Sequence, residues 1–359
     1  MVVAYVITLA LFALYSYTQI DLNLTLNRLS IWSQFRNGMV QIGYFHRPES
    51  TAVFLVLIGA LLGLHLWFIR NHRRFSPLKI GLITAVILLG AYPFLSHDLF
   101  NYMFDAKILT YYHQNPYLYR ALDFPNAPEL HFMHWVHRTY PYGPTFLPIT
   151  LIPSFLGFGK FVISYGLFRI LFALSYLLGV WSLNKMDRRW ALFFSTHPLV
   201  LVEGLMNNHN DLLAVGLTLY GIQLIHSKRG LWGRMVLLVS GGIKYLTAPF
   251  IFVGKKSSLL DRGVLAVVII LLGYLTFHQE VQAWYYLVLF GFLPYGYRWL
   301  KELWIFFTGL LASYYPFLLY GTWGEQGNVD RKHLVMILFA MINAVMLIVR
   351  RKAIAHHEV

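Results

Sequence analysis

Ser96-His97-Asp98-Leu99-Phe100-Asn101-Tyr102-Met103-Phe104-Asp105-Ala106-Lys107 opens a polar stretch, about Leu95 to Gly143, in a chain otherwise built for lipid. Asn115-Pro116-Tyr117 and Tyr140-Pro141-Tyr142-Gly143-Pro144 follow within or directly after it. Two carboxylates, a lysine, several histidines and Pro-Tyr turns therefore come straight after a hydrophobic run. Between membrane helices, a loop of this kind is where water-side chemistry is done.

Composition fixes the class around that stretch. The chain is 58% hydrophobic and 17% aromatic, with 12% charged residues and a mean hydropathy of +0.56, which excludes an ordinary soluble domain. The net charge is +14, from 29 Lys and Arg against 15 Asp and Glu. The basic residues fall in short clusters between apolar runs, which points to the positive-inside pattern and anionic lipid rather than to nucleic acid. With no cysteine there is neither disulfide nor thiol chemistry. Met1 to Gln19 is apolar, without a basic start or a small-residue cleavage site, and reads as a retained first span.

A span needs about 20 apolar residues. Candidates run at 3–19, 51–70, 77–95, 161–184, 190–206, 210–226, 263–278, 283–297, 303–321 and 333–349. Basic clusters separate or follow them: Arg70 to Arg74, Lys185 to Arg189, Lys228 to Arg234, Lys255 to Arg262, Arg298 to Lys301, and Arg350 to Lys352. Placing these in the cytoplasm puts both termini inside. The 95–143 loop, Asn207 to Asp211, and His278 to Trp284 then share the outer face. Residues 144–159 carry three prolines, and 234–254 has Gly241-Gly242 and Pro249. Both are expected as re-entrant or broken helices. The expectation is an all-α polytopic membrane protein, one membrane domain over 1–359 with about ten crossings and a helical outer loop at 95–143.

Asp98 and Asp105 are seven apart and share one helix face, with Lys107 on a neighbouring face. On spacing alone, Asp98 is equally an N-cap, and Asp105 equally a surface ion-pair partner. His131, His134 and His137 form His-x2-His-x2-His, but the apolar residues between them suggest an amphipathic interfacial helix, so no metal is assigned. Arg169 and Glu203 fall inside spans, and an ion pair between them is the simplest way to carry both. Asn210 or Asp211 would cap the helix that follows the Asn208-His209-Asn210-Asp211 turn.

The order of motifs changes the weighting. Asp98-x3-Tyr102-x2-Asp105-Ala106, then Asn115-Pro116-Tyr117, then Tyr140-Pro141-Tyr142-Gly143-Pro144 resembles the first outer loop of GT-C membrane glycosyltransferases. The likeness is greatest to bacterial polyprenol-phosphate-mannose-dependent mannosyltransferases. His197-Pro198-Leu199-Val200-Leu201-Val202-Glu203 followed by Asn208-His209-Asn210-Asp211 is similar to a second block of that group, with His197 where Asn is usual. Ala283 to Leu287 and the Lys244 segment are weaker matches. The anchors run from about residue 95 to 290.

The resemblance implies a transferase that takes a hexose, mannose by preference, from a polyprenyl-phosphate sugar to an extracytoplasmic glycan, glycolipid or protein acceptor. It implies a catalytic base early in the loop, which carries over to Asp98. One carboxylate of the usual Ser-Asp-Asp is missing here, so Asp105 stays as the alternative. A lipid phosphate leaving group is a weak base that needs cations rather than a general acid. Lys107, Arg138, His209 and Lys244 are the candidates. Tyr102, Asn115, Tyr117, Tyr142, Asn210, Asp211 and Tyr285 are candidate substrate contacts. No cofactor is expected, and single displacement would invert the anomeric centre. The membrane is the plasma membrane in a prokaryote or the ER in a eukaryote, with membrane lipids as partners. A transporter or flippase of a lipid-linked sugar is the rival reading, and a scaffold without activity the last.

Overall fold

In hydrocarbon every backbone N–H and C=O must find its partner within the protein, and apolar runs of about 20 residues do so as helices. The computed structural model describes residues 1–254, 258–278 and 280–357, and every regular element among them is helical. In chain order the α-helices are α1 (Val2–Tyr15), α2 (Ser30–Val40), α3 (Arg47–Arg70), α4 (Pro77–Leu88) and α5 (Asp98–Thr110). They continue with α6 (Phe146–Leu156), α7 (Phe161–Met186), α8 (Arg188–Thr196), α9 (Asn210–His226) and α10 (Gly230–Ile243). The last are α11 (Ser258–His278), α12 (Leu293–Leu300), α13 (Trp304–Ala312), α14 (Tyr315–Tyr320) and α15 (Gln326–His357). The basic cluster expected from Lys255 begins outside the described residues.

Among the described residues, six runs are long and apolar enough to cross a membrane: Val2–Gln19, Arg47–Arg70, Phe161–Met186, Leu259–Thr276, Ala283–Tyr320 and Gln326–Arg350. Their difference from the ten expected has local causes. The run expected at 190–206 is broken where His197-Pro198 separates α8 from a wide turn of helix at Val200–Met206. Helix α4 stops after 12 residues and α9 has 17. The two runs expected at 283–297 and 303–321 join into one, kinked at Gly296. Helix α6, with 11 residues, is roughly 17 Å long and too short to cross. Helix α10 breaks at Lys244, where the backbone turns extended before a 3-10 segment at Tyr245–Phe252.

Helix α9 lies at the centre, packed between α7 and α10. The approach to α7 is close because Gly216 lies against the backbone carbonyl of Ser175, where any Cβ would collide. A similar contact fixes the end of the polar stretch. Gly143 sits on the carbonyl of Gly242 at the end of α10. Thr145 then donates its N–H to that carbonyl at 3.1 Å and its hydroxyl to Val239 at 2.6 Å.

Arg169 of α7 does not pair with Glu203, contrary to expectation. Its guanidinium donates to the carbonyls of Leu88 at 2.6 Å and Leu89 at 2.9 Å, at the C-terminal end of α4, and to Asn208 Oδ1 at 2.9 Å. Carbonyls at a helix end have no intrahelical partner, and a planar fork with five donors suits several of them at once. Arg169 thereby ties α4 and α7 to the turn before α9. Arg169→Lys keeps the charge and loses the fork. It should lower stability by roughly 3 kcal/mol, read as a depressed melting temperature in detergent; an unchanged melting curve would contradict the tie.

Candidate active site

Helix α5 begins at Asp98 itself. Ser96 Oγ accepts the Asp98 N–H at 3.2 Å, so Ser96 serves the helix start and the Asp98 carboxylate is free for other partners. Those partners are His209, whose Nδ1 lies 3.6 Å from Asp98 Oδ2, and Tyr102, which donates its hydroxyl to the same oxygen at 3.5 Å. On its other side His209 Nε2 lies 3.3 Å from Glu203 Oε2, and Asn207 Nδ2 donates to that oxygen, also at 3.3 Å. Neither ring nitrogen of His209 makes an aligned hydrogen bond, so the two contacts are charge–charge contacts. The Trp284 ring stacks on His209 at 3.9 Å and 16°.

Electrostatics polarise this row. Burial pushes the His209 pKa down, but the carboxylates of Asp98 and Glu203 outweigh it and hold it above the usual range. Burial pushes Asp98 up, and His209, Arg138 and Lys244 outweigh that in turn, so Asp98 is held below the usual carboxylate range. His209 and Glu203 side chains are fully buried, whereas Asp98 keeps 16% of its side chain exposed. The carboxylate at the open end of the row is therefore the one that can meet a substrate.

Cations flank it. The break at the end of α10 lets Lys244 reach Asp211 Oδ2 at 2.9 Å, with its ammonium 5.1 Å from the Tyr285 ring centre and 23% of its side chain exposed. Arg138 donates to the Tyr142 hydroxyl at 2.9 Å and lies over Trp135 at 5.0 Å. Asn210 or Asp211 was expected to cap α9, but neither does so with its side chain; Asp211 is committed to Lys244, and the Asn210 N–H donates to the Tyr102 hydroxyl at 3.4 Å. Tyr102 is buried between Asp98, the α9 start and Tyr142, where it braces the site.

The other sequence candidates lie elsewhere. Asp105 shares the Asp98 face but is buried, and burial raises its pKa to about 7, opposed by Arg138 and reinforced by the negative charge of Asp98. Lys107 points away and pairs with Glu129 at 2.6 Å beside a cavity of about 20 Å³, far too small for a sugar. Asn115 accepts the Tyr117 N–H at 2.9 Å, and Tyr117 meets the edge of Tyr140, so both shape the loop.

The amphipathic helix expected at 130–137 does not form. The segment has a 3-10 turn at Pro128–His131, and its later carbonyls bond to distant partners instead of helical amides. His97 Nδ1 meets the Phe132 carbonyl, Asn101 Nδ2 donates to that of Trp135, and the Leu122 N–H to that of Val136. Among the described residues, one group of three side chains could hold a metal ion: Asp21, His97 and His134.

Sequence reasoning did not assign Glu203, Asn207, Asn208 and Trp284 to the site. Asn207 links Glu203 to the Leu95 N–H, which donates to its Oδ1 at 3.1 Å. Asn208 adopts φ +57°, a conformation asparagine tolerates well, and its side chain locks the turn. Two signals were readable: a carboxylate within an apolar run, and consecutive asparagines directly before a histidine.

A family model described as Alpha-(1->6)-mannopyranosyltransferase, N-terminal domain, matches residues 24–255. The chain belongs to this family. The matched region encloses Asp98, Glu203, His209, Asp211 and Lys244. Alpha-(1->6)-mannopyranosyltransferase A of Corynebacterium glutamicum is 26% identical over 234 residues, covering 58% of this chain and 47% of the relative. The protein of the same name from Mycobacterium tuberculosis is 26% identical over 223 residues, covering 59% of this chain and 42% of the relative. The chain thus spans about half the length of these relatives. No solved structure matches it.

The Asp105 environment makes a prediction with a defined sign. Its folded pKa of about 7 stands above the unfolded value of 3.8, so the folded state binds the proton more tightly. Stability should fall as pH rises from about 4 to about 7, then level off. Asp105→Asn should remove that slope, read from melting temperatures of both proteins across the window. Parallel profiles would contradict the burial argument.

Proposed function

We propose that the chain is a membrane mannosyltransferase that forms α-(1→6) linkages, taking mannose from a polyprenyl-phosphate carrier to a glycan or glycolipid acceptor. The observation that carries this reading is the charged row Asp98–His209–Glu203, open at Asp98 and flanked by Lys244 and Arg138. The family match and the names of the relatives support mannose and the α-(1→6) linkage. The carrier, the base and the extracytoplasmic side of the loop rest on the residues and the resemblance of the loop motifs.

The chemistry is an in-line displacement. Asp98 takes the proton of the acceptor hydroxyl as that oxygen bonds to the anomeric carbon. The carbon–oxygen bond to the phosphate breaks, and its electron pair stays on the phosphate oxygen. The anomeric centre inverts, so a β-linked donor gives an α-glycoside. A phosphodiester with one negative charge becomes a monoester with two, while Asp98 loses its own negative charge by gaining the proton. The local charge is unchanged through the step, so Lys244, Arg138 and imidazolium His209 stabilise the leaving phosphate without reorganisation. The reading assigns no metal to this step. Asp105, whose carboxyl is half protonated near neutral pH, is a poorer choice of base than Asp98.

The test is sugar transfer by the purified protein in nanodiscs, offered polyprenyl-phosphate mannose or glucose and an α-mannoside acceptor without added divalent cations. Asp98→Asn should lower kcat by roughly 10³-fold, and Asp105→Asn should keep most of the activity. Lys244→Met should raise KM for the donor with a smaller loss in kcat. Loss confined to Asp105→Asn would move the base. No transfer, alongside movement of the lipid across liposomes, would replace the enzyme with a flippase.

A further inference from the structure

The regular histidine spacing at His131, His134 and His137 assigned no metal to the loop, but the folded chain brings one of these histidines into a different group. Asp21, from the turn between α1 and α2, meets His97, the residue just before α5, and His134, from the middle of the long loop. One ligand atom from each lies within 4.8 Å of the other two, and the two imidazole rings are 4.1 Å apart, centre to centre. Small side-chain rotations that draw these atoms to about 3.5 Å apart would let all three meet one ion with bonds of about 2.0–2.2 Å.

The side chains are already held in ligating form. His97 Nδ1 lies 3.1 Å from the Phe132 carbonyl, which can only accept, so Nδ1 carries the proton and Nε2 keeps its lone pair. A second ring nitrogen bonded to a backbone carbonyl is the usual support of a metal-bound histidine. Tyr92 and Phe100 rings pack edge-on against His97 and fix its plane. Asp21 is held from its own backbone, whose N–H donates to the Tyr92 hydroxyl at 3.3 Å, while its Oδ1 accepts the Asn23 N–H at 2.8 Å. Asn23 Nδ2 then donates to the His131 carbonyl at 2.9 Å, which clamps the Asp21 turn against the His134 segment. Two chain regions more than a hundred residues apart are thus stitched together directly beside the three ligands.

We infer that Asp21, His97 and His134 form a divalent transition-metal site, zinc by preference, that clips the N-terminal turn and the long loop to the start of α5. Two imidazoles and one carboxylate are a zinc donor set, and exposed His134 leaves a fourth position to solvent. The ion acts as a positioning element for the helix that carries Asp98, not as a Lewis acid in sugar transfer. The site stands independently of the transfer reading.

The experiment is metal binding by the whole chain in detergent, stripped with a chelator and dialysed. Zinc is titrated by calorimetry and cobalt(II) by visible absorption, with no activity readout. The wild type should take up one equivalent and show ligand-field bands of cobalt held by nitrogen and oxygen. Asp21→Asn and His134→Ala should each weaken binding by roughly 100-fold or more, while His137→Ala, at an exposed histidine outside the group, should leave it unchanged. All variants should match the metal-free wild type in elution and melting, so a loss of binding is not a loss of fold. Zinc should also slow protease cleavage within residues 111–139 in the wild type and His137→Ala, and not in Asp21→Asn or His134→Ala. No uptake by the wild type, uptake unchanged in His134→Ala, or uptake lost in His137→Ala would overturn the inference.

Discussion

An imidazolium in the protein interior is costly unless anions meet it on both sides. His209 has that arrangement, with Asp98 at 3.6 Å and Glu203 at 3.3 Å, and much of the surrounding structure follows from the need to hold it. Glu203 requires a donor, which Asn207 gives; Asn207 requires the turn that Asn208 makes in a left-handed conformation; and that turn is tied through Arg169 to α4 and α7. Trp284 closes the face of the ring with a flat apolar surface. The row has one partly open end, at Asp98.

The irregular parts of the helical fold produce the site. The break before Val200, the turn at Asn207–His209 and the end of α10 at Lys244 are each places where a continuous helix would have carried the side chain elsewhere. A continued α10 would fix the direction of Lys244 by its place on the helix surface; with the extended backbone there the ammonium reaches Asp211. Broken helices at membrane depth survive where protein covers the freed backbone. Here Thr145 and Gly143 cover the Gly242 carbonyl, so the end of the polar stretch seals the break that positions its cation.

The helical class, and the convergence of the 95–143 stretch with the 207–211 turn, were legible in the sequence, because apolar runs and the polar residues between them are local signals. Lys244 was found through its motif, and its partner Asp211 was named separately for a different motif. Partnerships across the fold were not legible. Arg169 and Glu203 were matched as the two opposite charges available, yet carbonyls at a helix end and a histidine took them instead. Carbonyls leave no trace in composition. The loop histidines misled for a related reason: a regular spacing of three suggested a helix, while the carbonyls between them were claimed by Asn23, His97 and Asn101. Among the described residues, six long apolar helical runs stand where ten were expected, because proline and glycine breaks shorten helices inside runs that remain apolar.

Under the proposed function, the lipid-linked sugar phosphate meets the protein at the open end of the Asp98 row, between Lys244 and Arg138. Photo-crosslinking with a diazirine-bearing polyprenyl-phosphate mannose, followed by peptide mapping, tests it most directly. Labelled peptides should contain residues 96–107, 207–211 or 284–285, with labelling suppressed by unmodified donor. Donor-suppressible labelling confined to other regions would contradict it.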